Sequence, residues 1–429
     1  MPLFSIPLSG LTASSNALSV ISNNLANLNT IGFKDQQANF KDLFYQTLGT
    51  TGSGDPMQLG AGSAVGSVSS NFTNGNVNNT GVPTDVAITG SGFFVTEEPN
   101  GAFQFTRAGN FTVDSMGQLK TADGQSVMGY PAVNGVINAA QGLIPIQLGQ
   151  GQISPPVPTT TAQLGTNLDA TAAVGSTPFS SPLTVYDSLG NSHVLTFQFT
   201  KTAANAWDYQ ITIPAADIAG ATAPVVVNAG SLAFNGAGQL VSTFTGPGGT
   251  GVATTPAANI AGITIAGLAD GANNLTFSWN LLDANGAPTL SQEASPSTTS
   301  TTIQNGYGSG TLQNFTIDSN GIVQGSFSNG QTQAIAQIAL ANFANNQGLQ
   351  LDGGNSYTST LASGPPVIGT ANTGGRGSLS GGALELSNVD ISQEFTQLIV
   401  TQRGFEANAR VVTTFDQITQ DTINLKSGA

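Results

Sequence analysis

The sequence predicts a mainly β protein with α-helices only at its two ends, and three observations carry that prediction. Apolar residues recur at intervals of three and four near both termini, the period of one helix face, and no comparable series lies between them. The long middle instead alternates short Val, Ile, Thr and Phe runs with Gly, Asn and Asp turn dipeptides. No stretch alternates strands with long amphipathic helices, which excludes a parallel α/β fold. The expected architecture is a coiled-coil hairpin of the two terminal helices, followed by nested antiparallel β domains of barrel or sandwich type, the outer one inserted into the inner one.

At the start of the chain, Leu11, Ser14, Leu18, Ile21, Leu25 and Leu28 are spaced as a coiled-coil seam with one polar interruption. The stretch "NNLANLNTIGFK" closes the series, and Gly32 is the residue able to take the left-handed conformation that ends a helix. A helix of about 20 residues spans only about 30 Å and, with one narrow apolar stripe, is marginal alone. At the far end Asp390 is a candidate N-cap with Gln393 three residues on. Ile391, Phe395, Leu398, Gln402, Phe405, Ala409 and Val412 then repeat the seam spacing, and Val411, Phe415, Ile418, Thr422 and Leu425 continue it one position over. Two such seams can meet only if the chain goes out and returns. The assembly seam is therefore assigned to Leu11, Leu18, Ile21, Leu25 and Leu28, with Ile391, Phe395, Leu398, Phe405, Val412, Phe415, Ile418 and Leu425. The opposite faces, as in "SSNALSVISNN" and "TTFDQITQDT", carry Asn, Ser, Thr and Gln rather than Lys and Glu, which points to self-association. The other reading of the same pattern is that both helices cover a sheet within an ordinary domain.

Between the helices, "AFQFTRAGNFTVDSMGQLKTADGQSVMGYP" reads as consecutive strands with tight turns, and "LTVYDSLGNSHVLTFQFT" as a hairpin around Asp187 to Asn191. Pro, Ser and Thr-rich flanks at 149–163 and 291–302 mark an insertion, and Gly and Ser-rich segments lie just inside the two helices. The expected organisation is a helical part from 1–33 and 383–429, extended connecting arms at 34–70 and 366–382, an inner β domain from 71–149 and 301–365, and an outer β domain at 150–300.

Composition excludes several functions. Only 7% of the residues are charged, the net charge is -14 and the pI is near 4.1, so the clustered cations that bind nucleic acid are missing and anionic membranes repel the chain. No apolar run reaches the length of a membrane span, and "MPLFSIPLSG" has neither the basic region nor the apolar stretch of a cleaved signal. There is no cysteine to form a disulfide or a thiolate metal site. "DSLGN", "DANG" and "DSNG" lack the alternating ligands of a calcium loop and read as hairpin turns. The single histidine, His193, is expected to face solvent or a strand neighbour, with no orienting acid or nucleophile singled out beside it. Trp207 and Trp279 are assigned to the core of the inserted domain. No catalytic residue, metal or cofactor is expected.

The residues now in view resemble a known family. "NNLANLNTIGFK" is similar to the N-terminal signature of bacterial flagellar rod and hook proteins, through Asn24, Asn27, Thr30, Gly32 and Phe33. "VDISQEFTQLIVTQRGFEANARVVTTFDQI" resembles the family's C-terminal helix, through Gln402, Arg403, Gly404, Phe405, Ala407, Asn408 and Arg410. "FTRAGNFTVDSMGQLKTADGQSVMGYP" resembles the β segment of the hook and distal-rod branches, through Arg107, Gly109, Asn110, Asp114, Gly117, Gly129 and Pro131. The long insertion resembles the hook branch. The resemblance implies a short tubular polymer of one protein that acts as a universal joint between rod and filament. It further implies terminal helices lining the inner tube, outward-stacked β domains, and export through the flagellar type III apparatus without a cleaved signal. Implied partners are the chain itself, the distal rod protein, the hook cap and the hook-filament junction protein, and the implied location is the extracellular hook next to the basal body. A distal rod or junction protein, and from another class a secreted β-rich surface protein or adhesin, are the alternatives.

Overall fold

The computed structural model describes residues 5–149 and 151–427, without the side chains of 45–48, 59 and 425–427. The chain divides into two compact units, Met1–Gly151 with Gln313–Ser326 and Thr332–Ala429, and Gln152–Leu312 with Phe327–Gln331. Among the described residues helix α1 spans Ser5–Ala26 and helix α2 spans Ile391–Ser427. Neither is long and apolar enough to cross a membrane. Everything else is strand, turn and short 3-10 turn, largely in antiparallel ladders.

In the first unit the sheet is built on strand Phe93–Glu97, which pairs with Phe103–Thr106, Ser126–Val133 and Thr332–Asn342. Its core is aromatic. Phe93, Phe105, Phe343 and Tyr357 pack edge to face with centroids 4.8 to 5.9 Å apart, a geometry that sets positive ring edges on negative ring faces. Residues 34–70 and 366–382 are not plain connecting arms. Strands Gln36–Asp42 and Ser63–Ser70 form their own two-stranded ladder, Tyr45–Thr50 pairs with Pro56–Gly60, and Val367–Thr370 and Ser378–Gly381 pair into the unit through Thr332–Asn342 and Val86–Thr89. The Gly and Ser content that reads as flexible is compatible with strand because the short ladder is covered only in part, by α1, none of its residues is fully buried and no apolar alternation is required.

The second unit is a sandwich. Strands Phe179–Tyr186, Ser192–Ala203, Ala206–Ile213, Val225–Phe234 and Leu240–Phe244 meander antiparallel in one sheet. Thr161–Asp169 centres the other sheet, antiparallel to Thr298–Gln304 but parallel to Leu275–Asn280 and Leu290–Glu293, so this unit is not purely antiparallel. The Thr-rich flank near 300 belongs to this sheet, since β-branched residues suit a pleated, half-buried strand; the unit runs on to Leu312, past the expected limit. One apolar core fills the space between the sheets, with Trp207 and Trp279 both inside it and Trp279 ringed by Phe197, Phe199 and Tyr209.

Candidate assembly interface

The N-terminal signature folds into an elbow that turns α1 into the first strand. The helix ends at Ala26, earlier than the position of Gly32 suggests, so Leu28 lies beyond it in the turns that follow. Asn24 is fully buried despite its amide, because the amide substitutes for a missing strand neighbour: Gln36 N donates to Asn24 Oδ1 at 2.9 Å and Asn24 Nδ2 donates to Gln36 O at 2.8 Å. The same Nδ2 reaches Glu394 Oε1 on α2 at 3.0 Å. Thr30 Oγ1 donates to Asn27 Oδ1, which fixes the turn. Gly32 has φ of +67, and a Cβ there would lie 2.5 Å from the Arg107 carbonyl carbon, so only glycine lets the elbow touch the β segment. Phe33 is buried beside it.

Behind the elbow sits an ion network that sequence reading did not single out. Lys34 Nζ lies 2.7 Å from Glu385 Oε1, and Arg107 Nη1 lies 3.1 Å from Glu385 Oε2, with all three side chains sealed from solvent. Gly75 N also donates to Glu385 Oε1, and Lys34 and Arg107 spend further donors on Thr73 O and Gly90 O. Burial pushes Lys34 and Arg107 below their ordinary pKa values, and Glu385, facing both, works the other way. The network joins the "GFK" and "FTRAG" motifs through a residue far from either in sequence. Its one legible signal is that Glu385 is an isolated charge in an otherwise uncharged stretch. An acidic pair, Asp35 and Glu394, lies on the helix side of the elbow. Burial raises both Asp35 and Glu394, with Asp35 and Asp390 adding repulsion at Glu394, and Asp35 Oδ1 and Glu394 Oε2 have no hydrogen-bond partner.

Asp390 caps α2, its Oδ1 accepting from Ser392 N and Gln393 N. The two helices run antiparallel: Asn24 meets Glu394, Gly404 lies opposite Ser14, and Gly10 lies against the Asn408 amide. α1 also packs against the Gln36–Asp42 and Ser63–Ser70 ladder. The fully buried residues of α1 are accordingly Pro7, Ala13, Ala17, Ile21 and Asn24, while Leu11, Leu18, Leu25 and Leu28 are half-buried at the margins. On α2, Leu398, Phe405, Val412 and Phe415 are half-buried, whereas Phe395 is 51% exposed, Ile418 55% and Val400 66%; Ile391, Ile399, Val411 and Ile423 are exposed too. The side chain of Leu425 lies outside the described residues. Of the C-terminal signature, Gly404 and Asn408 face α1, and Gln402, Arg403, Ala407 and Arg410 are exposed. Between α1, α2 and the ladder is an open cleft of about 430 Å³ bordered by Ala17, Val20, Ile21, Phe40 and Val400.

The turn readings of the three Asx-Gly motifs match the observed geometry, because Asp187, Asp283 and Asp318 each accept from the backbone N–H groups two and four residues on. His193 does not face solvent. It is 5% exposed, because strand alternation from Val185 inward carries it to the covered side of its hairpin.

Four family models match in order along the chain: the flagella basal body rod protein at 6–34, the flagellar hook protein FlgE/F/G D1 domain at 87–166, the flagellar basal body protein FlaE D2 domain at 159–307, and the flagellar basal body rod FlgEFG protein C-terminal domain at 380–425. They place the chain among the subunits of the flagellar rod and hook. The flagellar hook protein FlgE of Salmonella typhimurium is 38% identical over 99% of this chain and 100% of its own length, and that of Treponema pallidum is 34% identical over 97% and 98%. The chain belongs to the FlgE family of flagellar hook proteins, a family of structural proteins rather than enzymes. It is a structural subunit of the hook, the flexible joint that passes torque to the filament. The crystal structure of Helicobacter pylori FlgE2 overlaps 70% of this chain and 98% of its own at 16% identity with a TM-score of 0.47, a likeness too slight to add to this.

Proposed function

We propose that copies of this chain join into the hook tube through the outward apolar face of α2, with the α1–α2 pair acting as a coiled-coil hairpin. The observation that carries this is the placement of α2's large side chains. Glu394, Gly404 and Asn408 meet α1, while Phe395, Ile399, Val400 and Ile418 are left exposed, Val400 at the edge of the cleft beside α1. Covering one such side chain stabilises by about 1.5 to 3 kcal/mol, so a few per subunit are enough to drive association. The terminal segments are then the inner wall of the tube, and the Gln152–Leu312 unit is an insertion whose uncharged Ser, Thr and Asn surface makes weak, exchangeable contacts between copies. On the same reading the chain leaves the cell through the flagellar type III apparatus without a cleaved signal. It abuts the distal rod protein at one end of the hook, and the cap and junction proteins at the other.

Val400→Asp tests the reading. Val400 is largely exposed in the free chain, so monomer melting is expected to change little. A charge buried without a partner at the interface should abolish polymers in sedimentation and electron microscopy. Hook-like tubes of ordinary length from this variant would refute the proposal.

A further inference from the structure

The Gln152–Leu312 unit contains a side-chain cluster that neither its packing nor hook assembly explains. His193 Nε2 lies 3.1 Å from Asp187 Oδ2 and 3.5 Å from Asp270 Oδ2. On the other side of the ring, Nδ1 is buried without a hydrogen bond, and its nearest carboxylate oxygen is Asp217 Oδ2 at 3.4 Å. The three carboxylates arrive from separate places: the hairpin turn before Ser192–Ala203, the 3-10 turn Ala215–Asp217, and the loop before Leu275–Asn280. A neutral imidazole has one N–H and satisfies one of them. Three carboxylates thus converge on one ring, a concentration of negative charge that a bound cation would offset.

We propose that Asp187 Oδ2, His193 Nε2 and Asp270 Oδ2 ligate a first-row divalent ion of the zinc type. Three features favour the ion over a bare charge pair. Metal bonds of about 2.1 Å at tetrahedral angles set donor atoms roughly 3.4 Å apart. The observed 3.1 and 3.5 Å bracket that value, and the three ligand atoms all lie within 4.8 Å of one another. Secondly, a metal on Nε2 leaves the proton on Nδ1, where Asp217 is the carboxylate placed to accept it, the outer-shell partner that a ligating histidine ordinarily has. Thirdly, Asn191 Nδ2 donates to Asp270 Oδ2 at 3.0 Å, which orients a carboxylate from another loop toward the ring. An imidazole with two carboxylates suits zinc or cobalt better than calcium or magnesium, which prefer oxygen alone. The bound ion would tie the hairpin turn to the neighbouring loop.

The composition makes the test clean, because the chain has one histidine and no cysteine, so any imidazole-ligated metal must sit on this ring. Full-length chain stripped with a chelator would be titrated with Zn2+ near neutral pH, by calorimetry and by following the single histidine ring resonance. One ion per chain is expected, with the ring signal shifted in step with binding and the melting temperature raised. Asp270→Asn, close in shape, should weaken binding at least tenfold and remove the melting shift; His193→Ala should abolish both. A ring resonance unmoved at saturating Zn2+ would overturn the proposal in the unaltered protein alone, whether the ring is then a protonated partner of the aspartates or not. Binding undiminished in folded Asp270→Asn would overturn it as well.

Discussion

The two units solve the same problem, covering apolar side chains, in opposite ways. In the Gln152–Leu312 unit, strand Ala206–Ile213 buries every second residue, and Leu195, Phe197, Phe199 and Trp279 are fully enclosed between two sheets. That core is completed within one chain. In α2 Glu394, Gly404 and Asn408 meet α1, Leu398, Phe405, Val412 and Phe415 are only half-buried, and Phe395, Ile399, Val400 and Ile418 are exposed, so its apolar surface is left unfinished within one chain. The difference teaches that charge-poor composition serves two ends here. It lets a sheet surface of Ser, Thr and Asn remain soluble without repelling its copies, and it leaves helix faces free to be covered by like faces.

The comparison breaks most sharply if the closed core can be opened without consequence. Trp279→Ala should cost about 3 to 5 kcal/mol, since it removes a ring packed against three aromatic neighbours and leaves a cavity. Chemical denaturation should show the loss, and limited proteolysis should locate it in residues 152–312. A change below about 1 kcal/mol would mean that the sandwich is not closely packed. Next in size is Glu385→Ala, which strands Lys34 and Arg107 as buried cations without their counter-charge, an expected cost of about 3 to 5 kcal/mol. Here the damage should appear as cleavage near residues 27–35, because the elbow loses its anchor. Glu385→Gln keeps one acceptor oxygen but loses the charge and turns an NH2 donor toward a cation, so it should recover only part of this loss.

How much of this was legible depended on whether the signal was local. The hairpin about Asp187 to Asn191 is written in adjacent residues, and its strands follow it. Both helices exist where the periodicity indicates. The face that packs is another matter. Counting apolar residues selects Leu11, Leu18, Ile21 and Leu25, yet of these Ile21 is the buried one and Ala13, Ala17 and Asn24 are buried with it, because small side chains permit close approach and an amide can complete a strand edge. The ladder in 34–70 was hidden because α1 covers it only in part, none of the residues of Gln36–Asp42 and Ser63–Ser70 is fully buried, and these strands carry no apolar alternation. Glu385 beneath Lys34 and Arg107, and Asp217 and Asp270 beside His193, come together only through tertiary folding, and no local pattern announces them.

A smaller effect, set by pH, sharpens the contrast at the helix root. Burial raises Glu394 above its ordinary 4.5, and Asp35 is raised in the same sense. A carboxyl with a raised folded-state pKa favours the folded state while protonated, so that contribution is present below the ordinary value and is lost as pH rises through the folded one. Docking of α1 on α2 should therefore weaken as pH climbs past about 4.5. Glu394→Gln keeps the acceptor for Asn24 and removes the ionisation. Its advantage over the unaltered chain in helix melting, followed at 222 nm, should widen from acid toward neutral pH. A gap that narrows over that range would show that Glu394 is stabilised as the anion.

The smallest expected effect lies at Gly404, where α2 passes Ser14. A Cβ there would meet nothing nearer than Ser14 Oγ at 3.8 Å, an ordinary contact, and an interior helical glycine costs about 1 kcal/mol relative to alanine. Gly404→Ala should thus raise helix stability by up to about 1 kcal/mol in the monomer. Gly10 is the foil, because a Cβ there lies 2.8 Å from Asn408 Nδ2 and the amide must move aside, so Gly10→Ala should gain less or lose. If Gly404→Ala stabilises the monomer yet hinders polymer growth, the glycine serves the contact between copies rather than the fold of one. That would place the line between the finished core and the shared surface at a single position on α2.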